Sequence, residues 1–371
     1  MTHASHSRRQ MMAATSAVAV LGFTGSGAAQ TAPASATPRL RLIGEARLPH
    51  KLQFQGTTVG GLSGIDFDPA SGTYYLLSDD GGSISPPRFY TARIALTPEK
   101  FGAIELTGVT FLQGLGAPDP EAIRWHAPSQ SLLWTSEGNA VRFTPTALHQ
   151  TRMDGTLQRT YPLPAMFDFG LQAGSRVNKT LEGFAITPDG QTAWVAMEAA
   201  LRQDGDEPTV AAAGGPCRFT LIDLASGAAL RQIAYLPDTI PKAPSPPNAN
   251  ADNGVVEVLM HDAHRMLVLE RAYMAGLGDK DRNSMRLYAI DTRQATNTLS
   301  IAALKPGNHT HAAKTLVADF ANYPALTTLD NTEGMCWGPV LPNGNRTLLF
   351  VSDDNFSPRQ ITQFLAFEFL D

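Results

Sequence analysis

The stretch SGIDFDPASGTYYLLSDD, residues 63–80, gives the strongest indication of the fold because it contains two short strand-like runs separated by a turn. The second run, residues 74–77, is apolar at every position. Two runs of this length on either side of turn-forming residues predict a β-hairpin. A strand that is apolar on both faces is typical of one packed between neighbouring sheets. The stretch therefore predicts a buried hairpin that ends in two acids, Asp79 and Asp80.

The same order of a small or acidic residue, a strand, a turn and a second strand occurs four more times. The four stretches are EAIRWHAPSQSLLWTSE (121–137), EGFAITPDGQTAWVAME (182–198), EVLMHDAHRMLVLE (257–270) and EGMCWGPVLPNGNRTLLFVSDD (333–354). Further strand-like runs follow the hairpins, for example residues 89–96 and residues 104–111. Repetition of a four-stranded unit is the pattern of a β-propeller, in which each unit forms one blade.

The predicted fold is an all-β propeller of four-stranded blades, with five blades counted from the repeats. The fifth repeat shows only three strand-like runs, the last at residues 363–369. Residues 40–47 form an early run that can complete this blade, so we expect the N-terminal strand to close the ring. A sixth, irregular blade within residues 302–330 is also compatible with the spacing, and a two-sheet sandwich is the structural alternative.

The first 36 residues predict an export signal and linker. Arg8 and Arg9 form a twin-arginine pair, and an apolar run at residues 11–23 and a stretch of small residues follow it. The apolar run is too short to stay in a membrane as a spanning helix. We therefore expect residues 1–36 to be a twin-arginine signal peptide and linker, and residues 37–371 to be one propeller domain. The mature protein should be periplasmic or secreted, with no integral membrane segment.

Charge and cysteine content exclude several classes of function. Arg8 and Arg9 are the only Lys, Arg, Asp or Glu residues in the first 36, so the rest carries 27 basic and 34 acidic residues, a net charge of −7. An acidic body of this kind argues against nucleic acid as a partner. The two cysteines, Cys217 and Cys336, provide no disulfide framework, and we expect both to be free thiols. A monomer is expected.

Several short motifs resemble those of the phytase-like family of secreted bacterial β-propeller proteins, a family also described as esterase-like. They occur at residues 59–66, 77–80, 88–90, 119–123, 136–138, 181–183, 331–334 and 351–355. The resemblance extends over roughly residues 42–369. It implies a propeller and the hydrolysis of phosphate or other esters, although one fold can serve many chemistries.

Acidic residues at the strand ends predict a collar of carboxylates at one mouth of the propeller. An inner strand begins near one rim, and its hairpin returns the second strand to the same rim. The acids at these two kinds of position are Glu121, Glu182, Glu257 and Glu333, and Asp79, Asp80, Glu137, Glu198, Glu270, Asp353 and Asp354. Crowded carboxylates repel one another, which raises their pKa values or recruits cations. Oxygen ligands of this type suit calcium.

We interpret the collar as a calcium-assisted site for a small anionic or ester substrate. The predicted metal ligands are Asp79, Asp80, Glu121, Glu182, Glu333, Asp353 and Asp354. The catalytic candidates are Asp80, Glu121, Glu333 and Asp353. Arg88 and Arg359 would bind an anionic group of the substrate through bidentate hydrogen bonds. The predicted function is an exported hydrolase of phosphate or other esters.

Two other interpretations of the acids stay open at the level of sequence. An arginine follows the acid in every repeat, so the acids can form a structural belt of ion pairs. The predicted pairs are Asp80–Arg88, Glu137–Arg142, Glu198–Arg218, Glu270–Arg286 and Asp354–Arg359. The acids can also contact a substrate directly, without a metal. The alternative functions are a non-catalytic binding or scaffold propeller and a propeller enzyme that acts on a carbohydrate or a lactone.

Overall fold

The structure, a computed structural model, describes residues 39–116, 118–141 and 144–370. In these residues the strands form five four-stranded antiparallel sheets and one short hairpin. The described helices are four 3₁₀ turns of three residues each, at Ala127–Ser129, Ala165–Phe167, Thr292–Gln294 and Phe320–Asn322. No helix in the described part of the chain has the length and apolar character needed to cross a membrane. The predicted signal peptide, residues 1–36, lies outside the described residues.

Each of the first four blades is built from four strands that are consecutive in the chain. Blade one contains β4 (Leu62–Asp68), β5 (Thr73–Ser78), β6 (Arg88–Leu96) and β7 (Phe101–Phe111). Blade two contains β8 (Pro120–His126), β9 (Ser131–Ser136), β10 (Ala147–Thr151) and β11 (Leu157–Pro162). Blade three contains β12 (Leu181–Ile186), β13 (Thr192–Met197), β14 (Cys217–Asp223) and β15 (Ala229–Tyr235). Blade four contains β16 (Ala251–Met260), β17 (Arg265–Met274), β18 (Asn283–Asp291) and β19 (Lys314–Asp319).

Blade five joins the two ends of the described chain and closes the ring. It contains β20 (Asn331–Val340), β21 (Arg346–Asp353), β22 (Thr362–Leu370) and, as its outer strand, β1 (Arg39–Leu48). A short hairpin, β2 (Gln53–Phe54) with β3 (Thr57–Thr58), follows β1. The predicted five blades and the closure by the N-terminal strand are confirmed. The possible sixth blade is not formed by the described residues, because β19 is the outer strand of blade four.

The hydrophobic core consists of apolar layers between neighbouring blades. Leu76 in β5 and Leu133 in β9 are fully buried, as the continuous apolar runs of the second strands predicted. Each large apolar cluster combines residues of two adjacent blades, for example Ile65 of blade one with Val351 of blade five. Burying one such side chain contributes about 1.5–3 kcal/mol, so the second strand of each blade holds the ring together. Cys217 and Cys336 are buried free thiols, as predicted.

Each inner strand carries a β-bulge near its start, opposite the end of the second strand. The extra residue is Ser63 in β4, Val256 in β16 and Glu333 in β20, and equivalent register shifts occur in β8 and β12. A bulge leaves one residue outside the regular pairing and re-aims its side chain. The next residue must be small where inner strands meet closely, because a Cβ at Gly64 would lie 2.8 Å from a backbone oxygen of blade two. The bulges therefore turn the first residues of the inner strands toward the mouth of the ring.

Candidate functional site

The mouth of the propeller contains a cavity of about 1120 Å³ whose lining is strongly acidic. Its acidic residues are Asp79, Asp119, Glu121, Glu137, Glu182, Glu198, Glu207, Asp252, Glu333 and Asp353. Its basic residues are Lys179, Arg271, Arg282 and Arg359. A cavity of this size can accommodate a small molecule.

Strand register explains why acids from distant parts of the chain meet in this cavity. Leu62 pairs with Ser78 just before the bulge of blade one, and Thr332 pairs with Ser352 at the same position in blade five. The residues that follow the two serines are Asp79 and Asp353. Glu137 and Glu198 occupy the same position in blades two and three. Antiparallel pairing thus places the end of each second strand beside the bulged start of an inner strand.

Two groups of three carboxylates lie close enough to bind one cation each. Oxygen atoms of Glu137, Glu182 and Glu198 lie within 4.8 Å of one another, and so do those of Asp119, Glu121 and Glu137. Glu137 belongs to both groups, and its Oε1 accepts a hydrogen bond of 2.5 Å from a backbone N–H. Glu182 is only 8 % exposed, and no described residue donates a hydrogen bond to its carboxylate. The mouth therefore contains buried carboxylates that lack a partner from the described part of the protein.

Burial and mutual repulsion shift the pKa values of these acids upward. Burial, followed by the nearby Glu198 carboxylate, raises the pKa of Glu137 to about 8. Burial also raises the pKa of Glu333 to about 7, even though the nearby Arg271 lowers it. For Glu182, burial and then the carboxylate of Glu137 raise the pKa well above its ordinary range. A cation in the mouth would offset the same repulsion and return these groups to the ionised form.

An arginine closes the channel beneath the acidic cavity. Arg124 lies two residues beyond Ala122 on β8, farther from the mouth, and forms an ion pair of 2.7 Å with Glu257 of blade four. It also donates hydrogen bonds of 3.1 Å to the carbonyl oxygens of Ile65 in blade one and Val258 in blade four. Arg124 therefore bridges three blades across the channel; we call its ion pair with Glu257 the floor, and neither residue lines the cavity itself.

Blade four departs from the pattern that predicted the collar. Val255 of the inner strand β16 pairs with Glu270 of the second strand β17, so the bulged residue of β16 is Val256. The residue that follows Glu270 on β17 is Arg271. The prediction that Glu257 and Glu270 join the mouth was wrong, because the blade-four register is offset by one residue from the sequence repeat. Arg271 lines the cavity where the other four blades place an acid.

Glu257 and Glu270 are instead buried with partners. Glu257 lies against Arg124, as described above. Glu270 accepts hydrogen bonds of 2.6 Å from the Tyr235 hydroxyl and 2.6 Å from the Lys314 ammonium group. Both carboxylates thus belong to the interior of the ring and not to its mouth.

The structure brings five of the predicted metal ligands together and turns two away. The five that line the cavity are Asp79, Glu121, Glu182, Glu333 and Asp353. Asp80 instead forms a buried ion pair of 2.9 Å with Arg88, whose side chain is fully buried. Asp354 accepts a hydrogen bond of 2.9 Å from the backbone N–H of Gly61. Neither Asp80 nor Asp354 lines the main cavity, although Asp80 borders a side groove of about 580 Å³.

Asp80 shows how a partner changes the behaviour of a buried acid. Its carboxylate accepts hydrogen bonds from the backbone N–H groups of residues 82–85, in addition to its contact with Arg88. Burial acts to raise its pKa, but the backbone N–H groups and Arg88 outweigh burial and hold the pKa below its ordinary value. Asp80 is thus an ionised structural group, and Arg88 is its counter-ion. Of the two predicted substrate-binding arginines, only Arg359 lines the cavity.

The predicted belt of ion pairs forms as proposed only in blade one, among the residues described. Arg218 pairs with Asp204 at 2.6 Å and not with Glu198. Arg286 pairs with Asp238 and Asp319, each at 3.3 Å, and not with Glu270. No described residue forms an ion pair with Arg359, and Arg142 lies outside the described residues.

Six charged residues of the cavity were absent from the sequence prediction. They are Asp119, Lys179, Glu207, Asp252, Arg271 and Arg282. Asp119 directly precedes β8, so its place beside Glu121 was accessible from the motif. Lys179 and Asp252 lie in segments without a repeated pattern, and no sequence signal marks them. Arg271 required the blade-four register, which the repeat alone does not reveal.

Comparison with known proteins identifies one matching family. A family model described as "Phytase-like: Esterase-like activity of phytase" matches residues 57–356. These residues include every acid that lines the cavity. Among curated proteins, none matches the chain.

Several solved structures resemble the chain at low sequence identity. The Pseudomonas aeruginosa periplasmic gluconolactonase PpgL has 12% identity and a TM-score of 0.36, with 85% of this chain and 90% of that chain covered. The Kuenenia stuttgartiensis hydrazine synthase has 14% identity and a TM-score of 0.36, with 81% of this chain and 80% of that chain covered.

Proposed function

The chain belongs to the phytase-like family, and from this premise we propose that it hydrolyses phosphate or other esters in the acidic mouth of its propeller. The observation that carries the proposal is the group of Glu137, Glu182 and Glu198. Their oxygen atoms lie within 4.8 Å of one another, and all three residues are buried. Three acids without sufficient counter-charge are costly to a fold, and such groups concentrate at functional sites.

The donor atoms in the mouth fit a calcium ion. The two close groups provide only carboxylate oxygens, which calcium prefers, and contain no histidine or cysteine. Asp119, Glu121 and Glu137 would hold one cation, and Glu137, Glu182 and Glu198 would hold another, with Glu137 shared between the two groups. When bound, calcium would supply positive charge that polarises a phosphoryl or carbonyl oxygen and lowers the pKa of water in the site.

The remaining residues of the mouth suggest roles in proton transfer and substrate binding. Glu333 and Asp353 accept hydrogen bonds of 2.9 Å and 3.1 Å from the same Asn331 amide, which holds the two carboxylates side by side. They are our candidates for moving a proton to or from the reacting oxygen. Arg359 lies exposed at the rim without an ion-pair partner in the described chain, so its guanidinium can bind an anionic group of the substrate.

Glu182→Gln tests the proposal because it removes one charge and retains the shape of the side chain. We expect a loss of at least about 100-fold in turnover of phosphate or carboxyl esters, and loss of the calcium-dependent rise in Tm. Glu105→Gln, an exposed change on the outer strand β7, is the matched control and should leave both unchanged. Turnover is measured on generic phosphate esters, carboxyl esters and lactones, each with and without chelator.

The same assay discriminates the alternative functions. Turnover of lactones alone would favour the carbohydrate or lactone enzyme. A folded wild-type protein with neither turnover nor a calcium-dependent rise in Tm would contradict the proposal and leave the non-catalytic scaffold. Arg359→Gln should raise KM about ten-fold with little change in kcat, since the loss of one charge-assisted contact weakens substrate binding. An unchanged KM would show that Arg359 does not contribute to substrate binding.

We also propose that residues 1–36 direct export by the twin-arginine route and that the mature protein works in the periplasm or outside the cell. The support is the order of the twin arginines, the apolar run and the small residues. Replacing Arg8 and Arg9 with lysines should retain the precursor in the cytoplasm, as measured by cell fractionation. Unimpaired secretion of this variant would show that another route is used.

A further inference from the structure

Among the described residues, blade four is the only blade whose second strand brings a positively charged side chain to the mouth. On the second strand of each blade, one residue pairs with the inner strand directly beside the bulge. The second-strand residue that follows it is an acid in four blades (Asp79, Glu137, Glu198 and Asp353) and Arg271 in blade four. The inner-strand bulge of blade four is likewise apolar, because Val256 stands where three blades have a glutamate. Blade four therefore contributes no acid at either position of the collar.

The contacts of Arg271 place it between acids of two blades. Its guanidinium lies 3.3 Å from Glu333 of blade five and 3.7 Å from Asp252 of its own blade, and its side chain is 12 % exposed. Lys179 lies beside it, 3.3 Å from Asp252 and 3.6 Å from Glu198. One side of the mouth is therefore neutralised by cations of the protein itself.

The opposite side of the mouth has no such neutralisation. Among the described residues, no lysine or arginine forms an ion pair with Asp79, Asp119, Glu121 or Glu182. Glu182 is more than nine-tenths buried, reaches the cavity and has no hydrogen-bond donor there. Arg271 of blade four thus pairs with acids of blades four and five, and the carboxylates of blades one to three named above lack an ion pair within the described chain; Glu198, which pairs with Lys179, lies where the two regions meet.

We infer that Arg271 is a built-in cation that takes the place of a metal ion on the blade-four side and confines metal binding to blades one to three. This inference rests on the proposed calcium site and makes Arg271 a positioning residue. A guanidinium stays protonated at any physiological pH, so it provides a permanent positive charge. Like charges repel strongly in a partly buried site, and a second cation beside Arg271 is therefore disfavoured.

The inference predicts the number of calcium ions bound. Removing the charge in Arg271→Gln leaves Glu333 and Asp252 without their arginine, so this side of the ring should bind one calcium ion more than the wild type. Arg271→Lys retains the positive charge and should keep the wild-type number. Arg265→Gln is the matched control, because Arg265 is an exposed arginine of the same strand that pairs with Asp262 away from the cavity.

Calcium chloride titrated by calorimetry into each folded full-length protein gives the stoichiometry and affinity. One additional ion in Arg271→Gln, absent in Arg271→Lys and Arg265→Gln, is the expected result. Equal stoichiometry in wild type and Arg271→Gln would overturn the inference while leaving the proposed calcium site intact. A wild-type protein that binds no calcium would refute the calcium site itself, and the inference with it.

A second variant keeps the inference testable if Arg271→Gln does not fold. Lys179→Met removes the neighbouring, more accessible cation, which competes for Glu198. Calcium should then bind about ten-fold more tightly, since one repelling charge near the site is gone. An affinity equal to that of the wild type would contradict the division of the mouth into two halves.

Discussion

The mouth and the floor of the channel contain the same kind of residue with opposite consequences. At the floor, Glu257 is fully buried but lies 2.7 Å from Arg124, which closes the channel. At the mouth, Glu182 is nearly as buried but has no partner among the described residues. Burial raises the pKa of both acids; the next largest influence is Arg124 at the floor, which lowers the pKa of Glu257, and the Glu137 carboxylate at the mouth, which raises the pKa of Glu182 further. The presence of a counter-charge, and not burial, separates a structural acid from a candidate ligand.

The largest expected effect is at the floor, where removing one partner leaves charge unpaired. Arg124→Met should lower the free energy of unfolding by about 3–5 kcal/mol, because Glu257 then stays buried without its counter-ion. The double change Arg124→Met with Glu257→Leu should recover most of this loss. Urea unfolding of the two variants measures both values. A single change that costs less than about 1 kcal/mol would show that the pair is not the structural floor we describe.

The pH dependence of stability should distinguish the acids of the mouth from ordinary surface acids. The folded-state pKa values of Glu137 and Glu333 are about 8 and about 7, above their ordinary value of 4.5. At a pH between the ordinary pKa of 4.5 and these raised pKa values, the folded protein therefore binds more protons than the unfolded chain. In chelator, its unfolding free energy should fall as pH rises from 5 to 8, by up to about 1.4 kcal/mol per pH unit for each titrating group.

Calcium should flatten this profile, because the bound cation favours the ionised carboxylates at every pH in the window. The double variant Glu137→Gln with Glu333→Gln should make it less steep without calcium, since Glu182 and other acids of the mouth with raised pKa values still contribute. Asp80 does not contribute, since its lowered pKa moves its titration below this window. If the unfolding free energy of the wild type in chelator does not change with pH, ionisation of the acids in the mouth does not destabilise the fold.

The smallest expected effect is a gain in stability at the mouth, where the floor variant above loses stability. In chelator, Glu182→Gln should raise the free energy of unfolding by about 1 kcal/mol, since it removes a buried carboxyl group whose closest charged neighbours are the acids Glu137 and Glu198. Thermal and urea unfolding of wild type and variant would measure the gain. A loss of stability instead would assign Glu182 a structural contact like that of Glu257, and the contrast between the two regions would disappear.

The sequence predicted more of the fold than of the site. The repeated hairpins identified five blades, and residues 40–47 predicted the strand that closes the ring. Five of the seven predicted metal ligands reach the cavity. The prediction failed in blade four, because the strand register there is offset by one residue from the sequence repeat, and the apolar pattern does not reveal this offset. Val256 and Arg271 occupy the positions that the repeat assigned to Glu257 and Glu270.

The amino-acid sequence alone is enough to predict the architecture, because apolar runs such as residues 74–77 must be buried wherever they lie. Which acids find a partner depends on the tertiary structure. Asp79 and Asp80 are adjacent in the chain, yet Asp79 lines the cavity and Asp80 pairs with Arg88. Burial depends on local patterns of hydrophobicity, which a sequence shows directly. Ion pairing depends on distances of a few ångströms between blades, which the register and the closed ring establish.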